Sequence, residues 1–135
     1  MNLREISSLL YQIKLTNQKA NTLFEKETGF SLTRYEMLMI LKEKGVCSQN
    51  KIQVDMKIDG AAITRHLKIL EESGFVHRNR NVDNNREVFV ELSNKAKNEL
   101  DACEKEHGLK KISLHPSIND EEAYQLSDLL KRLYE

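Results

Sequence analysis

Segment 60–73 carries side chains that can bind the edges of DNA bases or phosphates. At 100° per residue, its apolar and polar residues fall on opposite faces of a helix. The apolar face holds Ile63, Leu67 and Leu70, and the other face holds Ala61, Thr64, Arg65 and Lys68. An arginine can bond a guanine edge with two hydrogen bonds, and a threonine can contact a thymine methyl group or a phosphate. The pattern predicts a helix that packs by one face and enters a DNA groove by the other.

Small residues at the start of this helix favour a close approach to a duplex. Gly60, Ala61 and Ala62 present little side chain, so the backbone N–H groups and the helix dipole can approach a phosphate. A polar outer face is also the norm for a helix that only meets water. The elements predicted on either side of this helix are therefore needed to distinguish a face that only meets water from a face that binds DNA.

A basic hairpin is predicted directly after the helix. Val88, Val90 and Leu92 alternate with Phe89 and Glu91, which indicates a strand, and Phe75 to Arg80 forms the strand before it. The loop from Asn81 to Arg86 then forms the tip of a wing, where Arg80, Asn84 and Arg86 are candidate contacts to DNA. Three basic residues lie between Val76 and Arg86, opposed only by Asp83: Arg78, Arg80 and Arg86.

A second short helix is predicted before segment 60–73. Ser48 can cap it, with Ile52 and Met56 facing inward, and Asp59 can cap the helix that follows and ends at Gly74. Two short helices joined by a tight turn are typical of a helix-turn-helix. Ser48 and Gln49 are candidate contacts to the DNA backbone, although the hydroxyl of Ser48 also suffices as a cap without DNA.

Long helices are predicted on both sides of this motif. The first runs to Gly29, and a Thr33–Glu36 capping box with a Leu32–Met37 staple starts the next, which ends at Gly45. Ser93 can cap a helix to about Ile112, and an Asn119–Glu122 capping box starts the last one. The terminal helices carry apolar stripes that predict a homodimer interface: Leu3, Ile6, Leu10 and Ile13, and Leu126, Leu130 and Leu133.

Composition limits the class of protein. The chain has 135 residues, 31% charged and 39% hydrophobic, with one proline, which favours a single, mostly α-helical domain. Its net charge is +0, so a DNA-binding surface requires local segregation of charge. There is no apolar run of about 20 residues and no paired cysteine spacing, so we expect a cytoplasmic protein. No phosphate loop or nucleophile motif is present, and we expect neither an enzyme nor a cofactor.

Both cysteines leave a sensing role open. Cys103 and His107 are four residues apart on a predicted helix, a spacing that can place two metal ligands together, although a buried thiol is the default and no metal site is assigned. Cys47 becomes reactive only if a positive environment, such as Lys44 or Lys51, lowers its pKa.

Three segments resemble the MarR family of winged helix-turn-helix regulators. Residues 59–67 (DGAAITRHL) and 70–78 (LEESGFVHR) are similar to the family's recognition helix and first wing strand, and residues 86–93 (REVFVELS) to its second. The resemblance implies a bacterial or archaeal homodimeric regulator that represses transcription by binding a pseudo-palindromic operator. It further implies dimerisation helices in 1–30 and 93–135 and a DNA-binding region in 31–92.

Individual roles follow from the same resemblance. Thr64 and Arg65 match the family's Thr-Arg pair, and Arg86 matches the wing-tip arginine. Asn84 departs from the aspartate that usually orients this arginine, and Gln53 departs from an alanine where the motif helices cross, so we expect looser packing there. Arg78 can brace the wing by an ion pair or contact phosphate.

The resemblance also implies a small-molecule effector as a further partner. Its pocket would lie between the dimer helices and the winged region, with Tyr35, Met39 or Tyr11 as candidate lining residues. The alternative function is a winged-helix protein-interaction module, or an effector sensor, that does not bind DNA directly.

Overall fold

Helices dominate the computed structural model, which describes residues 1–83, 86–108 and 114–135. The chain forms two compact units, Met1–Glu99 and Leu100–Glu135. The elements are, in order, α1 (Leu3–Thr28), α2 (Leu32–Lys44), β1 (Cys47–Ser48), α3 (Gln49–Met56), α4 (Gly60–Glu72), β2 (Val76–Arg80), β3 (Val88–Leu92), α5 (Asn94–Gly108) and α6 (Asp120–Tyr134). The predicted class, mostly α with a small β-wing, is confirmed.

The core of the first unit is built from α2, α3, α4 and the sheet. The apolar face predicted for α4 is fully buried, and it lies among the largest buried side chains of the unit: Met37, Leu38, Leu41, Ile52, Ile63, Leu67, Val76 and Val90. Burial of a Leu or Ile side chain contributes roughly 1.5–3 kcal/mol, so this face fixes the rotation of α4 about its axis. The opposite face of α4 is thereby left at the surface.

Caps fix the ends of both motif helices. The side chain of Ser48 accepts a hydrogen bond from the Lys51 N–H, and that of Asp59 accepts one from the Ala62 N–H. Each cap satisfies a backbone donor that the helix itself cannot, which contributes about 1 kcal/mol. The predicted starts of α3 and α4 are therefore confirmed.

The capping box predicted for α2 is wrong. The N-cap is Ser31, whose side chain makes no capping hydrogen bond, and the helix begins at Leu32. Thr33 consequently lies inside the first turn, where its backbone is already helical and cannot serve as the cap. Leu32 is helical as well, so it cannot act as the preceding member of a hydrophobic staple.

A three-stranded antiparallel sheet replaces the predicted two-stranded wing. The hairpin pairs Val76 with Leu92 and Arg78 with Val90. The additional strand β1 pairs Cys47 with Val90, which gives the order β1-β3-β2. The two residues of β1 are too few for an alternating pattern to be visible in the sequence. β1 ties the start of α3 to the wing.

The remaining helices have exposed apolar residues. Among the described residues, neither α1 nor α6 has a buried residue. Both helices begin with a capping box, which in α6 is formed by Asn119 and Glu122 as predicted.

Ser93 caps α5, since its hydroxyl accepts a hydrogen bond from the Ala96 N–H. α5 ends at Gly108, and its predicted continuation to Ile112 lies outside the described residues. In the described part of the chain, no helix combines the length and apolarity needed to span a bilayer.

Candidate nucleic-acid interface

The outer face of α4 presents the predicted binding residues together. Thr64, Arg65 and Lys68 are all exposed, while Ile63 and Leu67 on the other face are completely buried. Within the described residues, Arg65 makes no hydrogen bond or ion pair. The N–H donors of its guanidinium are therefore available to another molecule. At the N-terminus of the same helix, the Ala61 side chain is exposed and short. The face is therefore physically able to enter a groove.

The hydroxyl of Thr64 is held by two hydrogen bonds. It donates to the Gly60 carbonyl at 2.9 Å and accepts from Gln49 Nε2 at 3.0 Å. Gln49 lies in the first turn of α3, so this contact joins the two helices of the motif through their polar side. Sequence reasoning named both residues but missed the bond, because the partners are 15 residues apart and no local pattern links them.

Gly60 lies where the two motif helices meet. A Cβ atom at this position would be 3.4 Å from Gln53 Oε1 and 3.5 Å from Gln53 Nε2. The Gln53 side chain thus fills the space in front of Gly60. Whether this packing is looser than with an alanine at position 53 stays a prediction.

A histidine on α4 connects the recognition face to α2. Arg34 Nη1 lies 3.4 Å from His66 Nδ1, and this contact is a hydrogen bond when the imidazole is neutral and accepts. Burial lowers the pKa of His66, and the positive charges of Arg34 and Arg65 lower it further. The neutral form is therefore favoured, and it fits the bond from Arg34. Sequence reasoning assigned His66 no role.

The base of the wing is braced by an ion pair. Arg78 Nη2 lies 3.0 Å from Glu71 Oε1, and Arg78 Nε donates to Glu71 Oε2 at 3.2 Å. The hydrogen bonds from Arg78 lower the pKa of the Glu71 carboxyl. This two-pronged contact ties β2 to the last turn of α4, and it is the bracing role that the sequence left open for Arg78.

The tip of the wing is closed by an asparagine. The Asn81 N–H donates to the Glu87 carbonyl at 2.9 Å, and its Nδ2 donates to Glu87 Oε2 at 3.1 Å. Arg80, at the end of β2, and Arg86, after the loop, are both exposed. Both arginines therefore lie at the tip end of the hairpin. Asn84, the other predicted wing contact, lies outside the described residues.

Ion pairs hold α3 against the end of α2. Lys44 is bonded to Asp55, and Lys51 Nζ lies 3.7 Å from the other oxygen of the same carboxylate. The hydrogen bond between Lys44 and Asp55 raises the pKa of the lysine and lowers that of the aspartic acid. Asp55 partly neutralises the positive charges of Lys44 and Lys51. This lowers the positive charge at the surface of α3 that could attract phosphates.

The two cysteines differ in their surroundings. Cys47 is buried in β1, and its thiol donates to the Gly45 carbonyl at 3.4 Å. Burial raises the pKa of the Cys103 thiol, and the charge of Glu106 raises it further. A raised pKa disfavours the thiolate that metals and oxidants require. Within residues 1–83, 86–108 and 114–135, no three His, Cys, Asp or Glu side chains are grouped as metal ligands.

A cavity of about 320 Å³ lies at the C-terminal end of α4. It is lined by the ends of α1 and α4, the start of α2 and the residues before β2, including Phe30, Arg34, Ile69 and Phe75. None of the candidate pocket residues Tyr35, Met39 and Tyr11 lines it. Tyr35 instead belongs to an aromatic cluster, with ring centroids 5.2 Å from Phe24 and 5.7 Å from Phe30.

Known proteins resemble this chain in sequence and in fold. The model of the MarR family matches residues 30–88. An uncharacterized HTH-type transcriptional regulator of Bacillus subtilis is 34% identical over 129 residues, which cover 96% of this chain and 79% of the relative. A mutant MarR from E. coli, in a crystal structure with operator DNA, superposes with a TM-score of 0.79 at 22% identity over the whole of both chains. The structure of Bordetella bronchiseptica BpsR, whose DNA binding is regulated by 6-hydroxynicotinic acid, is also similar. It superposes with a TM-score of 0.80 at 15% identity, covering 95% of this chain and 99% of that one.

Proposed function

Because the chain belongs to the MarR family of transcriptional regulators, we propose that it binds a pseudo-palindromic DNA operator as a homodimer and represses transcription there. The exposed face of α4 is the observation that supports DNA binding most directly. Its buried face fixes the helix, and Thr64, Arg65 and Lys68 are left outside. We assign Arg65 to a guanine edge in the major groove and Lys68 to the phosphates.

The wing supplies the second contact in this proposal. Arg80 and Arg86 lie at the end of the β2–β3 hairpin, and the hairpin is held to α4 by the Arg78–Glu71 ion pair. Wing arginines that enter a narrow minor groove gain from its negative potential. The recognition helix and wing thus bind neighbouring grooves, with Ser48 and Gln49 at the start of α3 near the backbone.

Dimerisation is supported by the exposed apolar residues of the terminal helices. In α1, Leu3, Ile6 and Leu10 are 81%, 42% and 55% exposed, and Ile13 is half-buried. In α6, Leu126, Leu130 and Leu133 are 39%, 38% and 63% exposed. Apolar stripes of this size are unusual at the surface of a monomer, and a two-fold partner would cover them. We therefore assign residues 1–30 and 93–135 to dimerisation and residues 31–92 to DNA binding.

The proposed role involves no catalysis and no cofactor. A dimer that occupies an operator excludes other proteins from that DNA, which is sufficient for repression in the cytoplasm. A small-molecule effector is a further partner in this proposal, supported by the effector of BpsR and by the cavity lined by Phe30 and Arg34.

Selection of bound sequences from a random duplex pool tests the proposal. We expect a site with two half-sites about 10 base pairs apart, because two-fold related recognition helices occupy successive major grooves. Fluorescence polarisation on this site should give an affinity that falls steeply with salt. Lys68→Ala should lower the salt slope, whereas Lys26→Ala on α1 should leave it unchanged. A protein that selects no sequence and shows no salt-dependent binding would be an interaction module or an effector sensor instead.

A further inference from the structure

Thr64 is exposed on the recognition helix, yet its hydroxyl is already engaged. The O–H group has one proton, which it donates to the Gly60 carbonyl at 2.9 Å. One of its lone pairs accepts from Gln49 Nε2 at 3.0 Å. Phosphate oxygens only accept hydrogen bonds, so a phosphate contact would require Thr64 to give up the bond to Gly60. The methyl group remains for a partner, together with one oxygen lone pair, which can only accept a hydrogen bond.

The bond from Gln49 also decides how the methyl group is held. A threonine in a helix divides its population between two χ1 rotamers, because its hydroxyl can bond carbonyls one turn back in either. Only a rotamer that keeps Oγ1 within reach of Gln49 makes both bonds. Gln49 therefore selects one orientation of the Thr64 methyl group before any ligand is present.

We propose that Gln49 is a positioning residue that makes Thr64 a reader of the thymine C5-methyl group. The inference rests on the proposed function and adds to it a base preference and the residue that sets it. Thymine is the only DNA base with an apolar group in the major groove, so a fixed methyl group on the recognition helix favours it over the other bases. A methyl group prepositioned in this way loses less conformational entropy on binding than one that rotates.

The experiment replaces thymines with deoxyuridine in the site that the wild-type protein selects. Deoxyuridine keeps every hydrogen-bonding group of thymine and lacks only the methyl group. At one thymine position, the wild-type affinity should fall by about fourfold for each half-site that carries the replacement, the value expected for losing one buried methyl group, and by about 15-fold when both half-sites carry it. Thr64→Ser keeps the hydroxyl and should bind thymine and uracil sites equally.

Gln49→Met tests the positioning role, since methionine has a similar length and no N–H donor. We expect the preference for thymine over uracil to shrink from about fourfold to less than about twofold per half-site, because the threonine rotamers are no longer restricted. Gln53→Met is the matched control: it changes the same residue type one turn later, where the described residues show no hydrogen bond to Thr64. It should keep the full preference, and thermal unfolding would check that both variants are folded.

Each outcome of this experiment has a distinct meaning. If Gln49→Met weakens binding to thymine and uracil sites by the same factor, Gln49 only supports the fold and the inference is wrong. If the wild-type protein shows no uracil effect at any thymine of its selected site, Thr64 reads no methyl group and the inference is also wrong, although DNA binding stands. If no site is selected at all, the proposed function itself fails and the inference falls with it.

Discussion

Replacing Arg65 with alanine separates DNA recognition from protein stability. The Arg65 side chain is exposed and makes no hydrogen bond or ion pair within the described residues. Surface substitutions of this kind usually change the free energy of unfolding by less than about 0.5 kcal/mol. We therefore expect Arg65→Ala to unfold at nearly the wild-type temperature and to affect mainly DNA binding.

The size of the effect follows from the number of contacts. One bidentate arginine–guanine pair contributes about 1 to 3 kcal/mol of discrimination between bases. A dimer on a symmetric operator makes two such contacts, so the loss is about 2 to 6 kcal/mol. At about 1.4 kcal/mol per factor of ten, the affinity should fall between about 30-fold and about 20,000-fold. On an operator in which only one half-site is intact, Arg65→Ala should lose half as much binding free energy, because only one arginine–guanine pair is removed.

Fluorescence polarisation with permuted operators measures both affinity and preference. Arg65→Ala should bind all four bases equally at the position that the wild-type protein requires to be guanine. Arg65→Lys is the matched control, because it keeps the positive charge but lacks the planar pair of donors. It should retain most of the salt slope while losing much of the guanine preference. A uniform loss of affinity on every sequence would refute the base contact and make Arg65 a phosphate ligand.

Three other predictions concern the rest of the molecule. The pKa of His66 is lowered in the folded protein, so below about pH 6.5 the unfolded state binds more protons than the folded state. The free energy of unfolding should therefore fall as the pH drops below that value. Urea titrations between pH 5 and 7.5 should show that His66→Gln removes part of this slope, and a slope that this variant leaves unchanged would contradict the prediction. Leu130→Asp should convert the proposed homodimer to a monomer in sedimentation at micromolar concentration, with Gln125→Asp on the same helix as a control that stays dimeric. Arg86→Ala should weaken DNA binding and reduce the salt slope by about one unit per protomer, and an unchanged slope would remove Arg86 from the interface.

Local sequence patterns were sufficient to predict the recognition helix. Helical periodicity identified its buried face, and Asp59 marked its start because a cap acts on backbone donors only three residues away. The same reasoning failed for α2, where Ser31 and Thr33 are both capping residue types within one turn. The choice between them depends on where the chain leaves α1, which no local pattern specifies.

Contacts between distant segments were beyond this kind of reasoning. Gln49 meets Thr64 across 15 residues and Arg34 meets His66 across 32, and both pairs depend on how the helices pack. The sequence therefore predicted which residues face outward but not which of their polar groups are already occupied. For Thr64 that distinction matters, because a hydroxyl proton that is already donated to Gly60 cannot also be donated to a phosphate, a contact that the sequence allowed.

The zero net charge of the chain is compatible with DNA binding because several of its acidic groups stabilise the fold. Glu71 is paired with Arg78, and Asp55 with Lys44. The acidic residues in the first turn of α6, Asp120, Glu121 and Glu122, lie at the positive end of that helix's dipole. These acidic groups therefore lie in ion pairs or at the start of a helix. Arg65 and Lys68 on α4 are exposed, and among the described hydrogen bonds and ion pairs neither has an acidic partner. Local placement of charge, and not the net charge, thus determines what α4 can bind.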